Sequence, residues 1–254
     1  MKPSLIYPDW PLRNKVQAFA TTRVGGVSQP PFDDFNLAVH VTDNQKHVLT
    51  NRNRLKKYLP EDVEIKWLKQ IHGNCVVNAT KITSDQVQAD AAFSTDEKSA
   101  CAILTADCLP ILLADARGQC VGAVHAGWRG IINGVIENTI VTMSEFAMPE
   151  YVWLGPAISQ KYFEVGDDVY NLYLQKNPAL ACCFMPRESP QQKPAKWFLD
   201  LYHAAKIIIN DAGIGQVYGG GLCTYDDMDQ FYSYRRERIT GRIATIIARC
   251  PSGT

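Results

Sequence analysis

The chain has 254 residues, of which 46% are hydrophobic and 20% charged, and its 26 Lys+Arg balance 26 Asp+Glu to a formal charge of zero. This composition excludes a disordered or fibrous chain, and it leaves no basic field to gather nucleic acid. The longest apolar runs, such as Ile111–Ala114 and the Thr245-interrupted Ile243–Ala248, fall far short of the roughly 20 residues of a membrane span. Neither nucleic acid nor a membrane is expected as a partner.

In chain order, Met1–Trp10 carries Pro3, Pro8 and Asp9 where a secretion signal needs an uninterrupted apolar stretch, which predicts a cytoplasmic protein. Val16–Thr21 and Phe35–Val41 read as strands. Asp43 or Asn44 can cap a helix over 44–59, with Val48, Leu55 and Leu59 at helical spacing and Pro60 stopping it. Glu64–Ile71 and Cys75–Ala79 read as strands around a His72-Gly73-Asn74 turn. Ala100–Ala106, Pro110–Ala114 and Cys120–His125 are three more apolar runs with turn signals between them. Over Gly130–Phe146 an apolar stripe of Ile131/Ile132, Val135/Ile136, Ile140 and Met143 predicts one helix. Tyr151–Leu154 follows as a strand, Asp167–Gln175 as a short helix, and Asp200–Asp211 as a helix stopped by Gly213. Asn177–Lys196, with Pro178, Pro186, Pro190 and Pro194, reads as a long loop. Phe231–Tyr234 and Ile243–Ala248 close the chain as strands. With no internal repeat or low-complexity tract, a single mixed α/β domain over 1–254 is the economical organisation.

Eight cysteines without a secretion signal read as thiols, and no C-x-x-C is present. Cys75, Cys101, Cys120 and Cys250 sit among Val, Ile and Ala and read as small buried hydrophobes. Cys182-Cys183 is an adjacent pair poorly placed for an ordinary disulfide, because neighbouring side chains leave an extended chain on opposite sides.

Three segments interrupt strand-like sequence with metal-capable residues: Gln70-Ile71-His72-Gly73, Thr105-Ala106-Asp107-Cys108-Leu109-Pro110 and Val124-His125-Ala126-Gly127-Trp128-Arg129-Gly130. His72, Cys108 and His125 together would supply three zinc ligands and leave a fourth position open, as catalytic zinc sites do. Taken singly, each is equally a hydrogen-bonded histidine or an inert cysteine, and their spacing matches no local metal motif. A thiolate–imidazole pair of Cys108 and His125, oriented by Asp107 or His72, is a second reading. Blue copper is a third, weakened because the first methionine after His125 is Met143, on the helix stripe. Positive charge gathers separately at Arg23 in a Gly-containing turn, at Arg129 beside a helix start, and at Arg235, Arg236 and Arg242 among aromatic residues. Brought together, such groups would clamp a phosphate and stack a base; apart, they are solvated surface charges.

These segments resemble the YfiH/YlmD-type bacterial family, related to the animal laccase-domain-containing protein and once labelled polyphenol oxidase. The resemblance runs from Thr21-Thr22-Arg23-x-Gly25-Gly26-Val27-Ser28 through Phe35-Asn36-Leu37-Ala38-x-His40 and Asn51-Arg52. It continues through Gln70-x-His72-Gly73, Ala89-Asp90-Ala91, Thr105-Ala106-Asp107-Cys108-x-Pro110 and His125-Ala126-Gly127-Trp128-Arg129-Gly130 to Tyr234-Arg235-Arg236 and Thr240-Gly241-Arg242. One departure is Glu237-Arg238, where the family pattern suggests an acid followed by glycine.

The resemblance implies a layered α-β-β-α sandwich with mixed sheets, zinc on His72, Cys108 and His125, and phosphorolysis of adenosine, inosine and S-methyl-5′-thioadenosine with adenosine deamination beside it. Purine nucleoside and phosphate are then the expected partners, and a homodimer is one assembly open to the chain. Arg23, Asn36, Arg52, Arg129 and Arg235 are the expected substrate and phosphate contacts. Zinc deaminases keep a carboxylate beside the metal as proton shuttle; Asp107 or Asp90 can serve, with His40 as a non-carboxylate alternative. A multicopper laccase centre needs many more imidazoles than the five histidines present. The rivals are a cysteine hydrolase or amidase acting through Cys108 and His125, and a non-enzymatic metal-binding module.

Overall fold

The computed structural model describes residues 2–187 and 195–250. Two sheets carry the architecture. The first has five strands in the order Leu5–Ile6, Val16–Thr21, Ile243–Arg249, Ser99–Thr105, Glu64–Lys66, antiparallel except for the last pair. The second has six, in the order Gln216–Gly219, Tyr151–Leu154, Leu109–Ala114, Val121–Ala126, Ala91–Ser94, Val76–Asn78, with a parallel pair at each edge and antiparallel pairing inside. A small third sheet joins Glu164–Gly166, Lys196–Leu199 and Phe184–Pro186.

The strands are apolar on both faces because both faces are covered. Along Val16–Thr21 the two-residue period sends Val16, Ala18 and Ala20 inward, against Ala92, Leu112, Val121 and Trp153 of the opposite sheet. Phe19 points the other way, with Ala100, Ala102 and Leu104, onto Leu55 of the Gln45–Lys56 helix. On the outer face of the six-stranded sheet, Ile131, Ile136, Met143, Tyr173, Leu201 and Ile208 from four helices cover Leu109, Ile111, Val124 and Val152. The layering is therefore α-β-β-α with mixed sheets, as expected.

Several elements differ from the sequence reading, each for a traceable reason. Phe35–Val41 is not a strand. Buried Asn36 and Asn51 satisfy its backbone instead: Asn36 Oδ1 accepts from Ala38 N–H (3.1 Å), and Asn51 Nδ2 donates to the Asp34 and Asn36 carbonyls (3.1 and 2.9 Å). Phe231–Tyr234 is not a strand either, since the Arg236 guanidinium takes the Thr224, Tyr225 and Phe231 carbonyls and Ser233 caps a short Tyr234–Glu237 helix. The single helix over Gly130–Phe146 is two, Trp128–Asn133 and Val135–Ser144, because Gly134 turns left-handed at φ 85° and closes the first. Asn177–Lys196 is no simple loop: a 3₁₀ helix, Pro178–Cys183, leads into Phe184–Pro186, while Pro190 and Pro194 lie outside the described residues. Glu64–Ile71 contracts to Glu64–Lys66. Cys101 and Cys120 are buried, but Cys75, in the turn before an edge strand, is exposed and Cys250 is half-buried.

Candidate metal centre and cavity

Strand register converts distant sequence into neighbours. On three adjacent strands Ala91 pairs with Val124, and His125 pairs with Pro110. Asp90 therefore falls opposite His125, and Cys108, two residues before Pro110 on the other side, comes opposite Gly127 just past the same sheet end. Cys108 lies where the chain crosses from Ser99–Thr105 in one sheet to Leu109–Ala114 in the other. That crossing is made at Asp107, held at φ 95°, a left-handed conformation tolerated best by Gly, Asn and Asp. His72 arrives from a loop anchored by Gln70, whose side-chain amide donates to the Leu104 carbonyl (2.9 Å) and accepts from its N–H (2.8 Å). His72 itself sits at φ 59°.

The ligand atoms of His72, Cys108 and His125 all lie within 4.8 Å of one another. Cys108 Sγ is 4.0 Å from His72 Nε2, and the two imidazoles meet edge-on with centroids 4.7 Å apart. Fully buried Asp90 organises the group. One of its oxygens lies 2.8 Å from His125 Nδ1. Its carboxylate also accepts from the backbone N–H groups of Ile71, His72 and Gly73 at 3.2, 2.9 and 2.7 Å. Burial pushes the Asp90 pKa up, but the His125 and backbone hydrogen bonds outweigh it and hold the carboxyl below its ordinary value. With Nδ1–H donated to Asp90, His125 turns Nε2 toward the other donors. Without a metal, burial lowers its pKa but Cys108 and Asp90 raise it to about 9, so a metal would take that nitrogen in place of its proton. Gly127 leaves room for the donors: a Cβ there would lie 2.9 Å from Cys108 Sγ and 3.4 Å from His72 Cδ2. Two imidazoles and a thiol, a carboxylate behind one histidine and a glycine cradle fit a borderline-soft ion such as zinc. Without a metal, burial raises the Cys108 thiol but the charges and hydrogen bonds of His125 and His72 bring it to about 6.

The cluster borders a cavity of about 630 Å³ whose lining includes His40, Arg52, Gln70, Thr105, Tyr234 and Arg242, a volume suited to a small organic ligand. Arg52 Nε donates to the Leu37 carbonyl (2.9 Å) and Nη1 pairs with Asp85 (2.5 Å). Arg242 Nη1 donates to the Thr240 and Gly241 carbonyls (2.8 and 2.9 Å); its Nε and Nη2 make no hydrogen bond among the described residues. Thr105 Oγ1 is buried without a partner. Burial and the charges of Arg242 and Arg52 lower the His40 pKa, so its imidazole is neutral at pH 7.

The structure thus gathers His40, Arg52, His72, Cys108 and His125 at one cavity. It does not bring Arg23, Arg129 and Arg235 there. Arg23 lies over Tyr232 and pairs with Asp33 and Glu237; exposed Arg129 covers Trp128; Arg235 donates to the Tyr162 and Glu164 carbonyls. Asn36 is fully buried in a loop-bracing role, donating to Asp43 and accepting from Arg242 N–H. Asp107 does not line the cavity: one of its oxygens accepts from Thr224 Oγ1 (2.7 Å) and the other from Arg235 N–H (2.6 Å). Arg242 and Tyr234, read from sequence as part of a candidate phosphate clamp with aromatic faces, do line the cavity, whereas Gln70 and Thr105 were not singled out as contacts although both fall within the motifs of the resemblance. Arg238, at the family departure, holds φ 59°, the conformation a glycine adopts at no steric cost.

A family model described as "Multi-copper polyphenol oxidoreductase laccase" matches residues 17–250. A protein of Pseudomonas aeruginosa named purine nucleoside phosphorylase is 42% identical over 240 residues, spanning 94% of this chain and 96% of that one. The YfiH purine nucleoside phosphorylase of Escherichia coli is 39% identical, across 96% and 98%. Among solved structures, a Neisseria meningitidis protein superposes with a TM-score of 0.89 at 40% identity, covering 97% of this chain and 99% of that one. YlmD from Geobacillus stearothermophilus superposes with 0.82 at 28%, covering 95% and 94%. Of the five histidines, His47 and His203 lie on separate helices away from the cavity.

Proposed function

The chain belongs to the family described by that laccase-named model, and from this membership we propose that it is a zinc-dependent purine nucleoside phosphorylase. Adenosine, inosine or S-methyl-5′-thioadenosine would react with phosphate to give free base and ribose 1-phosphate, or its methylthio analogue. Adenosine deamination would be a side activity. The observation that carries the reading is one cavity with a three-donor metal cluster on its wall and two guanidinium groups, Arg52 and Arg242, beside it. Relatives at about 40% identity that carry the phosphorylase name support it. We read the cytoplasm as its compartment, in keeping with eight free thiols.

In phosphorolysis a phosphate oxygen bonds to the ribose anomeric carbon as the bond to the base nitrogen breaks. Arg242, with Nε and Nη2 uncommitted, and Arg52 hold and orient the phosphate; bound this way it loses little freedom in reaching the transition state. Neutral His40 has a nitrogen lone pair that can take a proton from substrate. Thr105 Oγ1 offers a hydrogen bond that no group among the described residues takes up. Asp107 acts as a positioning residue, fixing the Thr224 and Arg235 segments on which the Tyr234 wall depends. His72, Cys108 and His125 would hold zinc, which when bound supplies Lewis acidity at an open position.

The test is inosine with and without phosphate, followed by chromatography, on protein whose metal content is measured. Hypoxanthine and ribose 1-phosphate formed only with phosphate, by protein carrying zinc, is the expected result. Base release independent of phosphate, or no zinc in active protein, refutes the reading. A cysteine amidase is the second reading, favoured by one observation: Cys108 Sγ lies within 4.8 Å of an imidazole nitrogen of His125, whose Nδ1 faces Asp90 at 2.8 Å.

A further inference from the structure

We propose that Cys182, Cys183 and His203 form a second metal site, for a thiophilic d¹⁰ cation, sharing no residue with the cavity cluster. Their ligand atoms lie within 4.8 Å of one another. Cys182 and Cys183 close the 3₁₀ helix Pro178–Cys183, which is started by Pro178 and capped by Asn177 Oδ1 accepting from Ala179 N–H at 2.9 Å. At three residues per turn, neighbouring side chains diverge by roughly 120° rather than the 180° of a strand. The extended-chain picture that sets the two sulfurs apart therefore does not apply.

His203 comes from another element, the first turn of the Leu201–Asp211 helix, where Asp200 Oδ1 accepts its N–H at 3.0 Å. The two elements are tied directly. Asp200 N–H donates to the Cys183 carbonyl at 2.8 Å, and Gln160 Nε2 donates to the same oxygen at 3.2 Å. The donors are thus held by backbone contacts on both sides, which is the preorganisation a metal site needs. Two sulfurs and an imidazole favour soft or borderline ions and disfavour magnesium and calcium, which take oxygen ligands. Cys183 is buried while Cys182 and His203 are exposed, so an ion can enter from solvent. On binding, each thiol releases its proton to water, and Cys182 gives up its 3.1 Å contact with the Ala179 carbonyl. Zinc(II) and copper(I) share this chemistry.

The proposal does not rest on the phosphorylase reading. Reduced full-length protein is loaded with zinc(II) alone, and separately with copper(I) alone without oxygen, then desalted for elemental analysis. Two equivalents per chain of at least one ion are expected in wild type. Cys182→Ser and His203→Ala, both at exposed positions, should each lose one equivalent and keep phosphorolysis unchanged, whereas Cys108→Ala should keep the second equivalent. In Cys108→Ala the bound ion should also shield Cys182 from iodoacetamide. A wild type that takes no more than one equivalent of zinc and no more than one of copper, a second equivalent that survives both substitutions, or an unshielded Cys182 overturns the site.

Discussion

Gly127→Ala tests the metal centre without touching a ligand. Gly127 has φ −69° and ψ 164°, which alanine adopts without strain, so any effect is steric. The new Cβ would stand 2.9 Å from Cys108 Sγ. Ordinary contact begins near 3.4 Å, so the sulfur must retreat by the difference, 3.4 − 2.9, or 0.5 Å. Metal–ligand distances tolerate about 0.2 Å, and perturbing the support of a ligand commonly costs roughly 10–100-fold in metal affinity. Overpacking and the weaker helix cap together should cost about 1–3 kcal/mol of fold stability. For a chain of this size each kcal/mol lowers the midpoint by about 2–4 °C. Elemental analysis, thermal melting and the phosphorolysis assay should therefore show a modest loss of stability beside a large loss of zinc and activity. A variant that melts a few degrees lower yet keeps full zinc and full activity would refute the cradle and, with it, this site for the metal.

Asp90→Asn leaves one acceptor where the carboxylate has two, so zinc affinity should fall about 10–100-fold, read by competition with a chromogenic chelator; unchanged affinity would remove Asp90 as the orienter of His125. Arg242→Ala and Arg52→Ala should raise the KM for phosphate by roughly 10–100-fold, the scale of a charge-assisted hydrogen bond of about 1.5–3 kcal/mol. Arg23→Ala and Arg129→Ala should leave it unmoved, and the reverse pattern would relocate the anion site. Burial raises the Glu237 pKa, but Thr240, Arg23 and Arg236 together hold it below its ordinary value. Its stabilising contribution is therefore complete above the unfolded value of about 4.3 and lost as pH falls through the lowered folded value. Urea midpoints between neutral pH and the acid limb should drop less steeply in Glu237→Gln than in wild type, and parallel curves would contradict this. Cys108 should resist iodoacetamide until a chelator strips the metal; if it labels first among the eight thiols in untreated protein, with activity lost in step, the amidase reading prevails.

The sequence by itself determined the parts that local physics fixes. Val16–Thr21 and Tyr151–Leu154 are strands over the residues expected, because a covered sheet demands continuous apolar side chains. The Asn44-capped helix and the Asp200-capped helix start at their caps. The motifs carrying His72, Cys108 and His125 were legible as segments where polar residues interrupt apolar runs. Tertiary structure decided what depends on partners far along the chain. Phe35–Val41 has strand-like composition, yet its backbone is satisfied by Asn36 and Asn51 side chains, a choice made only once the helix bearing Asn51 docks. Arg23, Arg129 and Arg242 are alike as charges in a sequence. Ion pairs hold the first at Asp33 and Glu237, and stacking holds the second over Trp128, while Arg242 alone of the three reaches the cavity. Asp90 is the plainest case. In sequence it is a carboxylate after an alanine, one candidate proton shuttle among several. Strand register sets it opposite His125, and the Gln70-anchored loop turns three backbone N–H groups, of Ile71, His72 and Gly73, toward it. A buried carboxylate with that many donors is committed to holding its neighbours, and those donors come from a strand and a loop that only the tertiary fold brings together.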